Sequence, residues 1–256
     1  MKLIYGSKYG NKEVDIEPYT TEQEKKLLLL GIQNINEIEF DILDEALKIL
    51  GYTNDFIINL KRIEKIIILL KSRELSVGDQ LPTNYPCKCG RVNHVVPKVG
   101  NLYNFKKVDE NRVIGKYEIV ESFDNISGKP DEEQSKLFIN YIFKNKKNIN
   151  FKELSDMDSV TYEELLEELT TNTMSIKEHL ELTCICGVKS RIKITDDFIV
   201  NNMSEDSLNS LWQNYTDLTF FSHYSKQDVD SMIPFERNIL TALLNNTKEK
   251  VGSNEA

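Results

Sequence analysis

The sequence predicts an α+β fold with an N-terminal helical bundle, cysteine-tipped β-hairpin modules and C-terminal helices, organised around a four-cysteine site of the zinc-ribbon type. Three observations predict it. All four cysteines fall in two copies of one short motif, Cys87-Lys88-Cys89-Gly90 and Cys184-Ile185-Cys186-Gly187. Alternating, β-prone segments follow both copies, Val92 to Val96 after the first and Arg191 to Ile194 after the second. Apolar residues at helical spacing fill both ends of the chain.

The elements follow in order. Residues 12–18 alternate, with Val14 and Ile16 on one face and Glu13, Asp15 and Glu17 on the other, which predicts a short half-exposed strand. Pro18 ends it, and Thr21 with Glu24 reads as a capping box opening a helix through residues 27–30. A second helix is expected over residues 35–50, with Ile38, Ile42, Ala46, Leu47 and Leu50 on one face and Gly51 closing it. A third over residues 59–74 places Leu60, Ile63, Ile66, Ile67 and Leu70 together.

Past Gly78 the texture changes to prolines, cysteines and strand formers. Residues 92–96 and 113–120 read as strands, so the first cysteine motif sits on a turn between strands. Residues 124–130 read as a loop and 131–145 as a helix. Another capping box, Thr161 with Glu164, opens a helix whose Glu163, Glu164, Glu167 and Glu168 form a solvated face rather than a catalytic or metal-binding cluster. The C-terminal part is helical. Leu208, Leu211 and Trp212 lie at contact spacing, Phe220, Phe221, His223 and Tyr224 form an aromatic cluster expected in the core, Ser225 caps with Asp228, and Pro234 starts a last helix. Residues 248–256 are expected to fray. The chain thus divides into a strand plus helical region at 1–80, a first cysteine β module at 81–130, and a helical region with the second cysteine hairpin at 131–256.

Cys87, Cys89, Cys184 and Cys186 are the candidate metal ligands. Four thiolates complete a tetrahedral structural zinc site, and a glycine after the second sulfur lets backbone amides turn toward the thiolates. Three other fates for the cysteines stand beside this one. The first is disulfides, disfavoured because Met1-Lys2-Leu3-Ile4-Tyr5 runs at once into glycine and charge and so reads as no signal peptide, which points to a reducing cytosol. The second is plain buried thiols. The third is a catalytic thiol, which needs a base that only His94, His179 or His223 can supply. His94, five residues after Cys89, can replace a sulfur or simply sit in the adjoining strand.

Composition narrows the function classes. With 41 acidic against 32 basic side chains the net charge is −9, which opposes sequence-independent attraction to a phosphate backbone. No apolar run approaches the roughly 18 residues of a membrane span, so a soluble protein or a component of a soluble particle is expected. GxSxG, HExxH, P-loop and Rossmann glycine patterns are absent, and no catalytic residues are assigned. Lys88, Arg91, Lys98, Lys106 and Lys107 around the first cysteine motif are the best support for an alternative: a zinc-ribbon regulator that binds nucleic acid or a polymerase.

Several runs together resemble a known family. They are Val14-Asp15-Ile16-Glu17-Pro18-Tyr19-Thr20-Thr21-Glu22-Gln23-Glu24-Lys25-Lys26-Leu27-Leu28, then Leu70-Lys71-Ser72-Arg73-Glu74-Leu75-Ser76-Val77-Gly78-Asp79, then the first cysteine motif. Thr161-Tyr162-Glu163-Glu164, Leu169-Thr170, the second cysteine motif and Met232-Ile233-Pro234-Phe235-Glu236-Arg237 continue the pattern. In this order they resemble the baseplate hub assembly proteins of T4-like tailed phages, across about Val14 to Leu244. The CxC spacing, one residue tighter than a CxxC knuckle, departs from the pattern.

That resemblance implies a non-enzymatic protein that helps assemble, or forms part of, the baseplate hub of a contractile tail. It implies no catalytic residues, so Arg73, Ser76 and Gly78 read as structural. Its partners are expected among other hub or tail proteins, with neither nucleic acid nor membrane, in the host cytoplasm during assembly and then in the virion baseplate. Phe235, Ile239 and Leu243 of the last helix are the candidate partner contacts, and zinc the expected structural cofactor.

Overall fold

The computed structural model describes residues 1–7, 10–33, 41–104, 113–114, 117–118, 158–161, 163, 175–177 and 179–254. The chain divides into two compact units, each drawn from two separate stretches: Met1–Ile16 with Leu102–Lys177, and Glu17–Asn101 with Glu178–Ala256. The fold is mixed helix and sheet, and every described sheet is a two-stranded antiparallel pair.

In the first unit, β1 (Lys2–Ser7) and β2 (Gly10–Asp15) form a hairpin in register from Lys2 opposite Asp15 to Ser7 opposite Gly10. The Met1 amide carbonyl accepts from the Ile16 amide at 2.7 Å, extending the pairing by one step. Val14 and Ile16 are buried while Glu13 and Asp15 are exposed, the alternation expected of this segment. The expected single strand over 113–120 is instead a hairpin. β6 (Val113–Ile114) pairs antiparallel with β7 (Tyr117–Glu118), where alternation alone suggests one continuous strand. β5 (Tyr103–Asn104) pairs with β8 (Ser175–Ile176). The loop expected at 124–130 and the helix expected at 131–145 lie outside the described residues, as do Glu164, Glu167 and Glu168. Thr161 is not a cap: its amide and hydroxyl both donate to the Asp158 carboxylate, at 2.8 and 2.7 Å, so Asp158 takes that role.

The second unit holds helices α1 (Thr21–Gln33), α2 (Ile42–Ile49), α3 (Asn54–Ile57), α4 (Arg62–Ser76), α5 (Asp196–Asn201), α6 (Leu208–Phe221), α7 (Lys226–Ser231) and α8 (Pro234–Asn254). Helix α1 packs on α2 and also on α5, α6, α7 and α8, so N-terminal and C-terminal helices share one core. Helix α4, packed on α2 and α5, has most of its residues buried. Ile63 and the continuous run Ile66 to Leu70 are all buried, which a one-sided stripe does not give and which a helix covered on every side requires.

The capping chemistry corrects two boundaries. The box that opens α1 is Thr20 with Gln23, whose side chains exchange hydrogen bonds with each other's amides at 3.3 and 2.9 Å. Thr21 and Glu24, one residue on, are buried and face the core: the Thr21 hydroxyl donates to the Met232 carbonyl, and Glu24 pairs with Arg237. Helix α2 begins later than its periodicity suggests, because Asp41 accepts from the Leu43 amide at 3.0 Å and fixes the start there. Ser225 and Asp228 form the expected box, and Pro234 opens α8. That helix runs to Asn254, past the point where fraying was expected, and Lys248 is tied to Asp217 at 3.1 Å.

Two arginines are fully buried. Arg73 near the end of α4 donates to the carbonyls of Asn202, Gly78 and Gln80 and to Glu205. Gly78 adopts φ +111°, turning the chain so that its carbonyl meets the guanidinium, and Ser76 accepts from the Tyr19 amide at 2.8 Å. Arg237 of α8 donates to Glu24, to Asp206 at 2.6 Å and to Asn238. Both arginines therefore clamp the same connection between α5 and α6. The aromatic cluster is a correction: Phe220 and Phe221 are 71% and 52% exposed, stacked edge-to-face on each other at the end of α6 rather than buried.

Candidate metal centre

Two hairpins of the second unit carry the cysteines. β3 (Thr83–Pro86) pairs with β4 (Val92–Val95), and β9 (His179–Thr183) pairs with β10 (Lys189–Lys193). Their turns are built alike. The Gly90 amide donates to the Cys87 carbonyl at 2.9 Å and the Cys87 amide to the Arg91 carbonyl at 2.7 Å; the matching bonds in the second turn, Gly187 to Cys184 and Cys184 to Val188, are 2.8 and 2.9 Å. Gly90 and Gly187 close the turns at φ +83° and +84°. This three-residue loop with a left-handed glycine explains the tight CxC spacing, since the hairpin supplies the reversal that a longer knuckle makes with its extra residue.

The turns place all four sulfurs within 4.8 Å of one another. Cys87 Sγ lies 3.7 Å from Cys186 Sγ, and Cys89 Sγ lies 3.8 Å from Cys184 Sγ. A tetrahedron of metal–sulfur bonds of about 2.3 Å has edges of about 3.8 Å, so the donor set fits a four-thiolate metal ion in number, chemistry and spacing. In each turn the first cysteine is buried and the second exposed, which puts one side of the cluster in the protein and the other toward solvent.

Electrostatics make the thiols unequal. The Cys186 amide, aided by the Cys186 and Cys87 thiols and the Asn93 side chain, lowers Cys184 to about 6 despite its burial. The Cys89 amide pulls Cys87 down, but burial and the thiols of Cys89, Cys184 and Cys186 push it up to about 12. Cys186 is raised as well: the Val188 amide favours its thiolate, while the Cys184 thiol and burial oppose it and prevail. Four thiols in one small volume cannot all ionise without a cation to balance them, which is the condition a metal ion satisfies.

Two further residues belong to the surroundings of this cluster. Tyr85 and Asn93 face each other across β3 and β4, and Tyr85 Oη is buried without a hydrogen-bond partner in the structure. Burial, then the charges of all four cysteines, raise the Tyr85 hydroxyl pKa. The sequence signal was available: Tyr85 is two residues before Cys87 on one strand and so shares its face. His94 is not a ligand. It is opposite Asn84 in the hairpin register, and its Nδ1 meets Asn84 Oδ1. Among the described residues the four cysteines are the cluster able to hold a metal ion.

The candidate partner contacts Phe235, Ile239 and Leu243 are 57%, 45% and 58% exposed along one side of α8. No helix among the described residues is long and apolar enough to cross a membrane. The sequence profile of a family described as T4 bacteriophage base plate protein matches residues 2–199. Searches of curated proteins and of solved structures returned no match.

Proposed function

The chain belongs to the T4 bacteriophage base plate protein family, and from that premise we propose that it helps assemble, or forms part of, the baseplate hub of a contractile tail, acting by binding other tail proteins and not by bond chemistry. The observation that carries the binding role is the pairing of a rigid four-cysteine centre with a helical surface that leaves large apolar residues in solvent. On this reading the ion is zinc. Cys87, Cys89, Cys184 and Cys186 hold it, and it supplies folding free energy by joining two hairpins far apart in the chain. Phe235, Ile239 and Leu243 then form a contact stripe for a hub or tail protein, since residues four apart on a helix share a face.

The test is affinity purification of the tagged chain from infected cells, with purified finished tails alongside. Co-purification of hub proteins supports the reading, and presence in or absence from the tails separates a component from an assembly factor. Recovery of polymerase or nucleic acid in place of tail proteins overturns it.

A further inference from the structure

The two cysteine hairpins form a basic pole on an acidic protein. The hairpin segments 80–98 and 179–195 contain Lys88, Arg91 and Lys98, and Lys189, Arg191 and Lys193, against a single acidic residue, Glu181, so 40 of the 41 acidic residues lie elsewhere. All six basic side chains are exposed. Lys98 pairs with Asp79 and Arg191 with Glu181, but Lys88, Arg91, Lys189 and Lys193 join no ion pair among the described residues. Neither segment shows this concentration alone; clustering of the four sulfurs within 4.8 Å brings the two together.

An exposed apolar residue lies on the turn of the second hairpin. Ile185 lies between the ligand cysteines of the second turn and is 88% exposed. Lys88 holds the equivalent place in the first turn, and each is one Cα step from two members of the same cluster, so the two sit on one surface. Val92, at the foot of the first turn, is also exposed. An exposed isoleucine held between two candidate ligand cysteines, with unpaired cations on the same two hairpins, suits an interface anchor with a polar rim.

We propose that this pole docks onto an acidic protein surface with an apolar recess that receives Ile185. The proposal rests on the assembly role above for the partner's membership in the baseplate. Charge complementarity selects an acidic partner. Single-stranded nucleic acid fits less well, because the described hairpin residues offer no exposed Phe, Tyr or Trp ring for base stacking, Tyr85 being buried. Holding six cations together also requires the cysteine centre, so docking depends on the metal.

The experiment measures binding of the purified, metal-loaded chain to individually purified baseplate proteins of the phage that encodes it, to oligothymidylate and to phosphatidylglycerol vesicles. Two variants are compared with the wild type, Lys88→Glu/Arg91→Glu/Lys189→Glu/Lys193→Glu and Ile185→Asp, after their metal content and melting temperature are matched to it. The expected result is an acidic baseplate protein whose affinity falls with salt and drops about tenfold or more in each variant. A baseplate protein that binds both variants as tightly as wild type overturns the docking inference and leaves the assembly role standing. Binding to no baseplate protein removes both. Binding to oligothymidylate or to vesicles that the charge-reversal variant loses, or self-association lost in the same way, assigns the pole to another occupant and overturns the inference.

Discussion

Cys87 Sγ lies 3.7 Å from Cys186 Sγ although the two residues are 99 apart in the chain. The hairpins that carry them have no other described sheet in common: β3 pairs with β4, and β9 with β10. The sulfur cluster therefore links two hairpins that no described sheet joins, and its removal should destabilise both.

Chelation of the purified chain is expected to lower its melting temperature and loosen both turns, with roughly one metal ion per chain recovered by elemental analysis beforehand. Cys87→Ser should lose the ion, since three thiolates leave the tetrahedron open. Full metal content in that variant would show that the cluster is not the site. Because each thiol gives up a proton on ligation, metal affinity should fall as pH falls, measurable by competition with a chromophoric chelator.

Gly187→Ala should cost about 1–2 kcal/mol and weaken metal binding together, because a side chain at φ +84° is strained and the turn that aims Cys186 must open. Gly100→Ala is the control, with no positive φ and nothing within 4 Å of the new methyl group. Equal melting temperatures for the two variants would refute the role assigned to the left-handed turn.

Arg237→Ala should destabilise the chain by about 3–5 kcal/mol in urea denaturation, since it leaves the Glu24 carboxylate buried and unpaired. The double variant Arg237→Met/Glu24→Gln should recover much of that loss, because replacing both partners removes the stranded charge. A double variant no better than the single one would contradict a buried pair.

Two carboxylates should give opposite pH responses. Burial raises Glu24 above its ordinary 4.5, outweighing Arg237 and Ser204. Between 4.5 and that raised value the native state binds more protons than the unfolded one, so the contribution of Glu24 is fully present below 4.5 and is lost as pH rises through the window. Asp228 is held below its ordinary 3.8 by the Ser225 hydroxyl and amide, so its contribution is present above 3.8 and is lost as pH falls through the depressed value. Stability of Glu24→Gln and Ser225→Ala relative to wild type, followed from acid to neutral pH, should change in these two opposite senses; parallel curves would contradict the assignment.

Phe235→Ala and Leu243→Ala should leave the melting temperature within about 0.5 kcal/mol equivalents of wild type, as both are exposed, while reducing co-purification with hub proteins. Unchanged co-purification from both variants would remove α8 from the contact surface.

The sequence by itself determined what is local and what is periodic. The burial alternation of Val14 and Ile16, the apolar face of α4, the Ser225 cap, the Pro234 helix start and the identity of the four clustered cysteines could all be read from residue type and spacing, because each depends on neighbours within a few positions or on a motif repeated in full. Only the tertiary structure decided which residues meet across the chain. Thr21 and Glu24 have the letters of a capping box, yet Thr20 and Gln23 make it, because Met232 and Arg237, more than 200 residues on, claim the first pair. Phe220 and Phe221 have the composition of a core, yet the helices around α4 close without them. Arg73 reads as structural in sequence, but that it and Arg237 are fully buried follows only from the one connection between helices that carries carbonyls and carboxylates to satisfy them. Hydrogen-bond and charge satisfaction in the interior is settled by partners distant in sequence, and spacing along the chain does not encode which partner wins.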